Sequence, residues 1–170
     1  FVNKGLQNEV PDYFFININQ DVKDDFVNKI TSYDLNSTVN IVPLATAKII
    51  KINGVDPKTY INKNNNSSWV IESERRISWS EQPAKNNPIV EGEWWDNNNP
   101  DNLYISFDYN AAKDLNIELG DKITLSIYGR EIQGEVKNFR EVDYADFTIN
   151  IALILNTAFG QKIPHEFLAT

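Results

Sequence analysis

The sequence predicts an α+β domain with few helices and many short strands. Two apolar segments, 12–18 and 147–155, are rich in aromatic and β-branched residues and stand far apart in the chain. Between them, residues 123–136 alternate apolar and polar side chains around a tight turn, as a β-hairpin does. The 170 residues suit one domain or two small lobes, since a chain of this size buries roughly two-thirds of its unfolded surface.

The first part of the chain predicts a strand followed by a helix. Residues 12–18 predict a buried strand. Asp21 then stands where a helix N-cap is expected, and apolar side chains recur every four residues across 22–30, so one helix face is apolar. We expect this helix to end within 33–36.

A long β-prone segment, 38–52, predicts the next strand. Pro43 has no amide hydrogen to donate to a neighbouring strand, so it is expected to break the run or to lie at an edge. Asn53 and Gly54 predict a tight turn because both residues tolerate positive φ. We expect a hairpin behind this turn.

The middle of the chain alternates loops with short strands. Residues 56–68 are polar and include an asparagine run at 64–66, and a second run at 97–99 also predicts a loop. Alternating apolar residues across 69–80 predict half-buried strand pieces. Residues 88–95 form a short apolar segment with two carboxylates.

The last part of the chain predicts a strand at 103–107 and a short helix from about Asp108. The inner face of this helix is expected to carry three apolar residues, with a left-handed cap after them: Ala111, Ala112, Leu115 and Asn116. A helical turn near 156–160 and an extended piece at 167–170 are predicted to follow the strand at 147–155.

The composition excludes several function classes. A net charge of −8 and a pI near 4.6 repel phosphate backbones, so no nucleic-acid partner is predicted. The absence of cysteine excludes disulfides and thiolate metal sites. No stretch approaches the ~20 apolar residues that span a bilayer, and no signal peptide is visible. The start at Phe1 predicts a fragment or processed product, with any membrane spans outside it.

Residues suited to catalysis or metal binding are few. His165 is the single histidine of the sequence, and no nucleophile elbow or zinc motif accompanies it, which predicts a surface loop residue. Glu91 and Glu93 are expected to share one solvated strand face. A calcium loop counted from Asp96 lacks the glycine and the final carboxylate that it needs. No catalytic, cofactor or metal residue is predicted, and a hydrolase using these groups is a minor alternative.

Two pairs of residues are candidates for contact or structure. Trp94 and Trp95 would point to opposite faces of a strand, so one can fill the core while the other contacts a partner or substrate. Packing of both within the domain stays open. Arg140 and Asp143 are expected to form a structural ion pair between lobes, worth only ~0–1 kcal/mol at a partly exposed site.

A more specific pattern combines NPIVEGEWW at 87–95, AKDLNIELGD at 112–121 and REVDY at 140–144. The opening DYFFINI at 12–18 and the turn at 52–54 belong to the same pattern. Together they resemble the periplasmic domain of ABC transporter permeases of the MacB/FtsX-like superfamily. Within it they resemble the YbbP-like branch, and more the second of its two periplasmic domains than the first.

The resemblance implies a MacB-like periplasmic core. A Porter-type strand–helix–strand lobe would comprise residues 1–54 plus 141–170, and a β-rich Sabre-like lobe would be inserted at 55–140. On this interpretation the strands at 12–18 and 147–155 are neighbours in one sheet.

The resemblance also implies a function without chemistry in this domain. The permease would couple ATP hydrolysis on a separate cytoplasmic subunit to periplasmic handling or extrusion of a hydrophobic or amphipathic substrate. The domain would lie at the periplasmic face of the bacterial inner membrane. Its expected partners are the cognate ATPase subunit through the membrane part, a second periplasmic domain or permease copy, and a periplasmic partner protein. No cofactor is expected.

A ligand-binding module is the alternative from another functional class. The Leu-Gly-Asp turn at 119–121 also occurs in double-psi and swapped-hairpin barrels. A closed barrel around the 123–136 hairpin would favour a free-standing ligand- or sugar-binding module that uses an exposed Trp94 or Trp95.

Overall fold

The structure is a computed structural model that describes residues 11–33, 37–61, 66–96, 102–145 and 149–170. The strands in these ranges are β1 Phe15–Ile18, β2 Ile41–Ile52, β3 Arg75–Ser80, β4 Ile89–Gly92, β5 Leu103–Asp108, β6 Lys122–Ile127, β7 Arg130–Arg140, β8 Leu153–Asn156 and β9 Glu166–Ala169. The helices are α1 Lys23–Tyr33, α2 Trp69–Glu72, α3 Tyr109–Asp114, α4 Thr157–Gly160 and a 3₁₀ helix at Pro57–Tyr60.

Six strands close into a barrel in the order β2, β3, β8, β5, β7, β6 and back to β2. Strands β3 and β8 are parallel, as are β5 and β7, while the other barrel neighbours are antiparallel. Strand β9 pairs with the first residues of β2 and carries β1 on its far side, and β4 pairs with the end of β7. Closure satisfies backbone groups on both edges of the barrel strands.

A single hydrophobic core holds the barrel together. Every barrel strand contributes buried side chains to it, and α2 and α3 add others. Fully buried members are Ile52, Ile77, Ile105, Phe107, Leu115, Ile123, Leu125, Val136, Leu153 and Leu155. Because side chains from all six strands touch in one cluster, the barrel is one packed unit.

The barrel crosses the lobe boundaries that the resemblance predicts. Strands β2 and β8 come from the ranges 1–54 and 141–170, and β3, β5, β6 and β7 come from 55–140. Strand β2 pairs with β3 and β6, and β8 pairs with β3 and β5, so the two groups alternate within one sheet. The predicted boundaries therefore do not coincide with a break in the sheet. The MacB-like assignment stays a prediction.

The expectation that 12–18 and 147–155 form neighbouring strands is wrong. Strand β1 pairs with β9, whereas β8 lies between β3 and β5. The first strand is also only partly buried: Ile16 is 57% exposed and Phe15 is half-buried, while Ile18 is 7% exposed. Its aromatic composition indicated a strand, but pairing with β9 at the outside of the sheet leaves Ile16 in solvent.

The predicted short helix is confirmed as α3. The Asp108 carboxylate accepts a hydrogen bond from the Ala111 amide at 3.1 Å, which satisfies a free N–H of the first turn. Ala111, Ala112 and Leu115 are buried against the core as expected. Asn116 follows with φ 51°, the left-handed cap that its amide side chain tolerates.

Two tight turns are also confirmed. Asn53 and Gly54 have φ of 51° and 82°, and the flanking residues exchange both backbone hydrogen bonds. The expected hairpin behind this turn is limited to one bridge, because β2 pairs with β6 instead. In the second turn, Tyr128 and Gly129 join β6 to β7 as a two-residue loop.

Other local expectations are corrected or fall outside the described ranges. Strand β2 runs through Pro43, which pairs with β9, while β3 pairs with β2 only from Ala45; the proline therefore does not break the strand but lies where one side of it is unpaired, the second expected outcome. The start of 69–80 is helix α2 rather than strand, with Val70 and Ile71 buried. Helix α1 is confirmed at Lys23–Tyr33, while the predicted C-terminal residues 34–36 and most of the asparagine runs lie outside the described residues.

The barrel core predicts a clear stability difference between two leucines. Leu125→Ala should lower the free energy of unfolding by about 2–5 kcal/mol, because truncation of a fully buried side chain leaves a cavity. The matched control, Leu119→Ala in an exposed turn, should change it by about 0.5 kcal/mol or less. Urea unfolding measures both variants, and equal losses would contradict the described core.

Candidate functional site

A cleft of about 930 Å³ brings together three of the four residues that the sequence proposed for partner contact or an ion pair. Trp94, Arg140 and Asp143 line it, together with residues of β2, β3 and the segments 82–87 and 149–154. Its volume falls within the range of roughly 300–1,000 Å³ that small-molecule sites occupy. Trp95 packs behind Trp94 and is not part of the lining.

The tryptophan pair does not alternate across a strand as expected. Strand β4 ends at Gly92, whose φ of 79° turns the chain, so Trp94 and Trp95 lie beyond the strand. Their rings stack with centroids 4.0 Å apart. Trp95 is 7% exposed, while Trp94 is half-buried and donates its indole N–H to the carbonyl of Glu81 at 3.0 Å. Trp94 is therefore the ring available to a ligand in the cleft.

Strand β7 positions the segment that carries the two tryptophans. Asn138 is fully buried, and its side-chain amide donates to the carbonyl of Glu93 at 3.1 Å. The same residue is the register partner of Gly92 in the pairing of β4 with β7. Backbone and side-chain contacts thus fix the chain just before Trp94.

The expected ion pair between Arg140 and Asp143 does not form in the part of the chain that the structure describes. Asp143 is exposed, and its carboxylate accepts a hydrogen bond from the Ala145 amide at 2.9 Å. Arg140 is only 2% exposed and donates from Nη2 to the carbonyl of Ile151. Arg140 is buried at the end of β7, whereas Asp143 accepts a hydrogen bond in an exposed turn. The two side chains therefore do not meet, although they are three residues apart.

The guanidinium of Arg140 is incompletely paired. Its Nε and Nη1 atoms are buried and have no hydrogen-bond partner among the described residues. Burial lowers the pKa of Arg140 to about 10, an effect that Tyr144 and Asp108 partly oppose. The group therefore remains cationic near neutral pH, within a low-dielectric setting that penalises an unpaired charge.

A buried carboxylate lies close by in register but is used elsewhere. Asp108, 1% exposed, is the partner of Arg140 in the pairing of β5 with β7. It accepts a hydrogen bond from the Ala111 amide, and the side chain of Tyr144 lies nearby. Burial, reinforced by Asp108, raises the pKa of Tyr144, so its phenol stays protonated. Asp108 thus contributes charge near Arg140 without forming an ion pair with it.

The residues considered for catalysis are dispersed. His165 is half-buried between Trp79 and Phe167, with ring centroids 4.8 and 5.0 Å away, rather than a free surface residue. Its Nδ1 lies 2.7 Å from the carbonyl of Ile163, which assigns the proton to Nδ1. Glu91 and Glu93 are exposed, and Glu93 lies past the end of β4, so they do not share a strand face. Within the described residues, no three His, Cys, Asp or Glu side chains are grouped so that they could hold a metal ion.

Trp79 and Lys85 are among the cleft residues that sequence reasoning missed. Trp79 lines it and packs directly on Gly160, where any added Cβ would overlap the indole. Its alternation with Ile77 in β3 predicted burial but gave no sign of the cleft. Lys85 also lines the cleft, from a polar segment without any distinguishing pattern.

The cleft is locally cationic although the chain is acidic. Two of its lining residues, Lys85 and Arg140, carry positive charge and one, Asp143, carries negative charge, a local balance of +1. The whole chain carries −8. An anion that approaches this protein is therefore repelled by most of its surface and attracted at the cleft.

The chain is similar to part of a bacterial transport protein. It is 27% identical over 165 residues to the uncharacterized ABC transporter permease YbbP of Escherichia coli (strain K12). This alignment covers 97% of the chain but 19% of the permease, so the chain spans about a fifth of that relative. No protein-family profile matches the chain, and no solved structure matches it. None of the helices within the described ranges is long and apolar enough to cross a membrane.

The contact between Asn138 and Glu93 predicts how the tryptophan segment is held. Asn138→Ala should lower the free energy of unfolding by about 1–3 kcal/mol, because the Glu93 carbonyl loses its buried donor. It should also increase acrylamide quenching of tryptophan fluorescence as the segment loosens. Asn28→Ala, on the exposed side of α1, removes the same amide and should change neither quantity. Unchanged quenching in Asn138→Ala would show that this bond does not position Trp94.

Proposed function

We propose that the chain is an extracytoplasmic domain of an ABC transporter permease, at the periplasmic face of the bacterial inner membrane. The observation that carries this proposal is the 27% identity to a permease over 97% of the chain. The pattern at 87–95, 112–121 and 140–144 supports the narrower assignment to the MacB/FtsX-like superfamily.

In this proposal the domain has a mechanical role. The single packed core supports it, because close-packed interiors move as a body and transmit displacement of one strand to the others. ATP hydrolysis on a separate cytoplasmic subunit would drive periplasmic handling or extrusion of a hydrophobic or amphipathic substrate. The partners would be that ATPase through the membrane part, a second periplasmic domain or permease copy, and a periplasmic protein.

The domain itself is proposed to be non-catalytic. The positions of His165, Glu91 and Glu93 support this, because they do not converge on one reacting centre. His165 has one ring nitrogen engaged with a backbone carbonyl, and both glutamates face solvent. A screen of the purified chain with ester and glycoside substrates would contradict the proposal if it gave turnover lost in Glu91→Gln.

A ligand-binding module is the second candidate, and the closed barrel favours it. Strands β6 and β7 form the hairpin around which the barrel closes, which is the arrangement expected for such a module. The cleft beside Trp94 offers it a site. The closed barrel counts against the first candidate, and the 27% identity over 97% of the chain counts in its favour.

The location of the domain can be tested through introduced cysteines, because the chain contains none. In spheroplasts that express the whole permease, Arg130→Cys should react with a membrane-impermeant maleimide, since this residue is exposed. Ile105→Cys, fully buried, should react only after denaturation. The parent permease without an introduced cysteine gives the background. Labelling of Arg130→Cys only after lysis would place the domain in the cytoplasm and refute the proposal.

A further inference from the structure

We propose that the cleft is a binding site for an organic carboxylate with an apolar body, and that the buried guanidinium of Arg140 receives the carboxylate. This inference goes beyond the proposed function, because it assigns a ligand chemistry to the cleft whether or not the chain works within a transporter.

The buried guanidinium of Arg140 has hydrogen-bond donors without partners among the described residues. A guanidinium that is 2% exposed normally satisfies its N–H donors, since each buried donor without a partner costs free energy. One nitrogen of Arg140 is bonded to Ile151, while Nε and Nη1 have no partner among the described residues. Arg140 is also one of the residues that line the cleft, and unpaired guanidinium donors are suited to an acceptor that carries negative charge.

The carboxylates near Arg140 do not supply acceptors for its unpaired donors. Asp108 accepts a hydrogen bond from the Ala111 amide, and Asp143 is exposed and accepts one from the Ala145 amide. Neither forms an ion pair with Arg140 in the described ranges. Loss of solvation lowers the pKa of Arg140 only to about 10, so the cation persists for a ligand to neutralise.

The other residues that line the cleft are partly apolar, and the lining as a whole carries a small positive charge. Ile149, Ile151 and Ile154 contribute apolar surface to the cleft, and Trp94 adds an aromatic ring. The charge balance of +1 among the lining residues matches a monoanion better than a dianion such as phosphate. A carboxylate attached to an apolar chain or ring satisfies both features.

Isothermal titration of the 170-residue chain with 3-phenylpropionate tests the proposal. The neutral isostere 3-phenylpropanamide has the same shape without the charge, and inorganic phosphate has charge without the apolar body. We expect the acid to bind at least about tenfold more tightly than the amide, equivalent to about 1.4 kcal/mol, and more tightly than phosphate. Equal affinity of acid and amide, or tighter binding of phosphate, would overturn the proposal.

Substitutions then locate the site. Arg140→Gln should weaken binding of the acid at least about tenfold, whereas Arg130→Gln removes the same charge from an exposed position and should leave the affinity unchanged. Thermal unfolding shows whether Arg140→Gln is folded. If it is not, Lys85→Gln and Trp94→Phe in the cleft serve instead, and both should weaken binding of the acid. Unchanged affinity in folded Arg140→Gln, or in both substitute variants, would refute the site.

Discussion

The pairing of β2 with β6 closes the barrel, and the rest of the domain depends on it. Strand β2 contacts β9 over 41–44, β3 over 45–47 and β6 over 48–52, so one strand connects three neighbours. If β2 and β6 were not paired, both would expose rows of unsatisfied backbone groups along a sheet edge. Closure instead brings side chains from all six strands into one core.

The cleft results from strand pairing that continues beyond the closed part of the barrel. Strand β7 extends past the end of β6, and its last residues pair with both β4 and β5. This extension places Asn138 under the tryptophan segment and Arg140 at the base of the cleft. The stability of the barrel and the position of its unpaired cation therefore have the same origin. Strong packing around Arg140 holds a charge that no neighbouring side chain fully neutralises.

Features encoded within a few residues were predictable from the sequence. The short helix from Asp108, the left-handed Asn116 and the turn at Asn53 each depend on a few neighbouring residues, and all three are present. Features that depend on strand order were not predictable. The partial exposure of β1 follows from its pairing with β9, and the burial of Arg140 follows from the register of β7 against β5. Residue spacing contains no information about either pairing.

Strands from both predicted lobes form one barrel, which we expect to unfold cooperatively. Amide hydrogen exchange followed by NMR across a series of low denaturant concentrations tests it directly, because it reports the free energy of opening for each strand. We expect the slowest amides of β2 and β8 to merge with those of β5, β6 and β7 into one global opening. A separate opening of β2 and β8, at lower free energy and with smaller denaturant dependence, would contradict the single barrel and support the two-lobe interpretation.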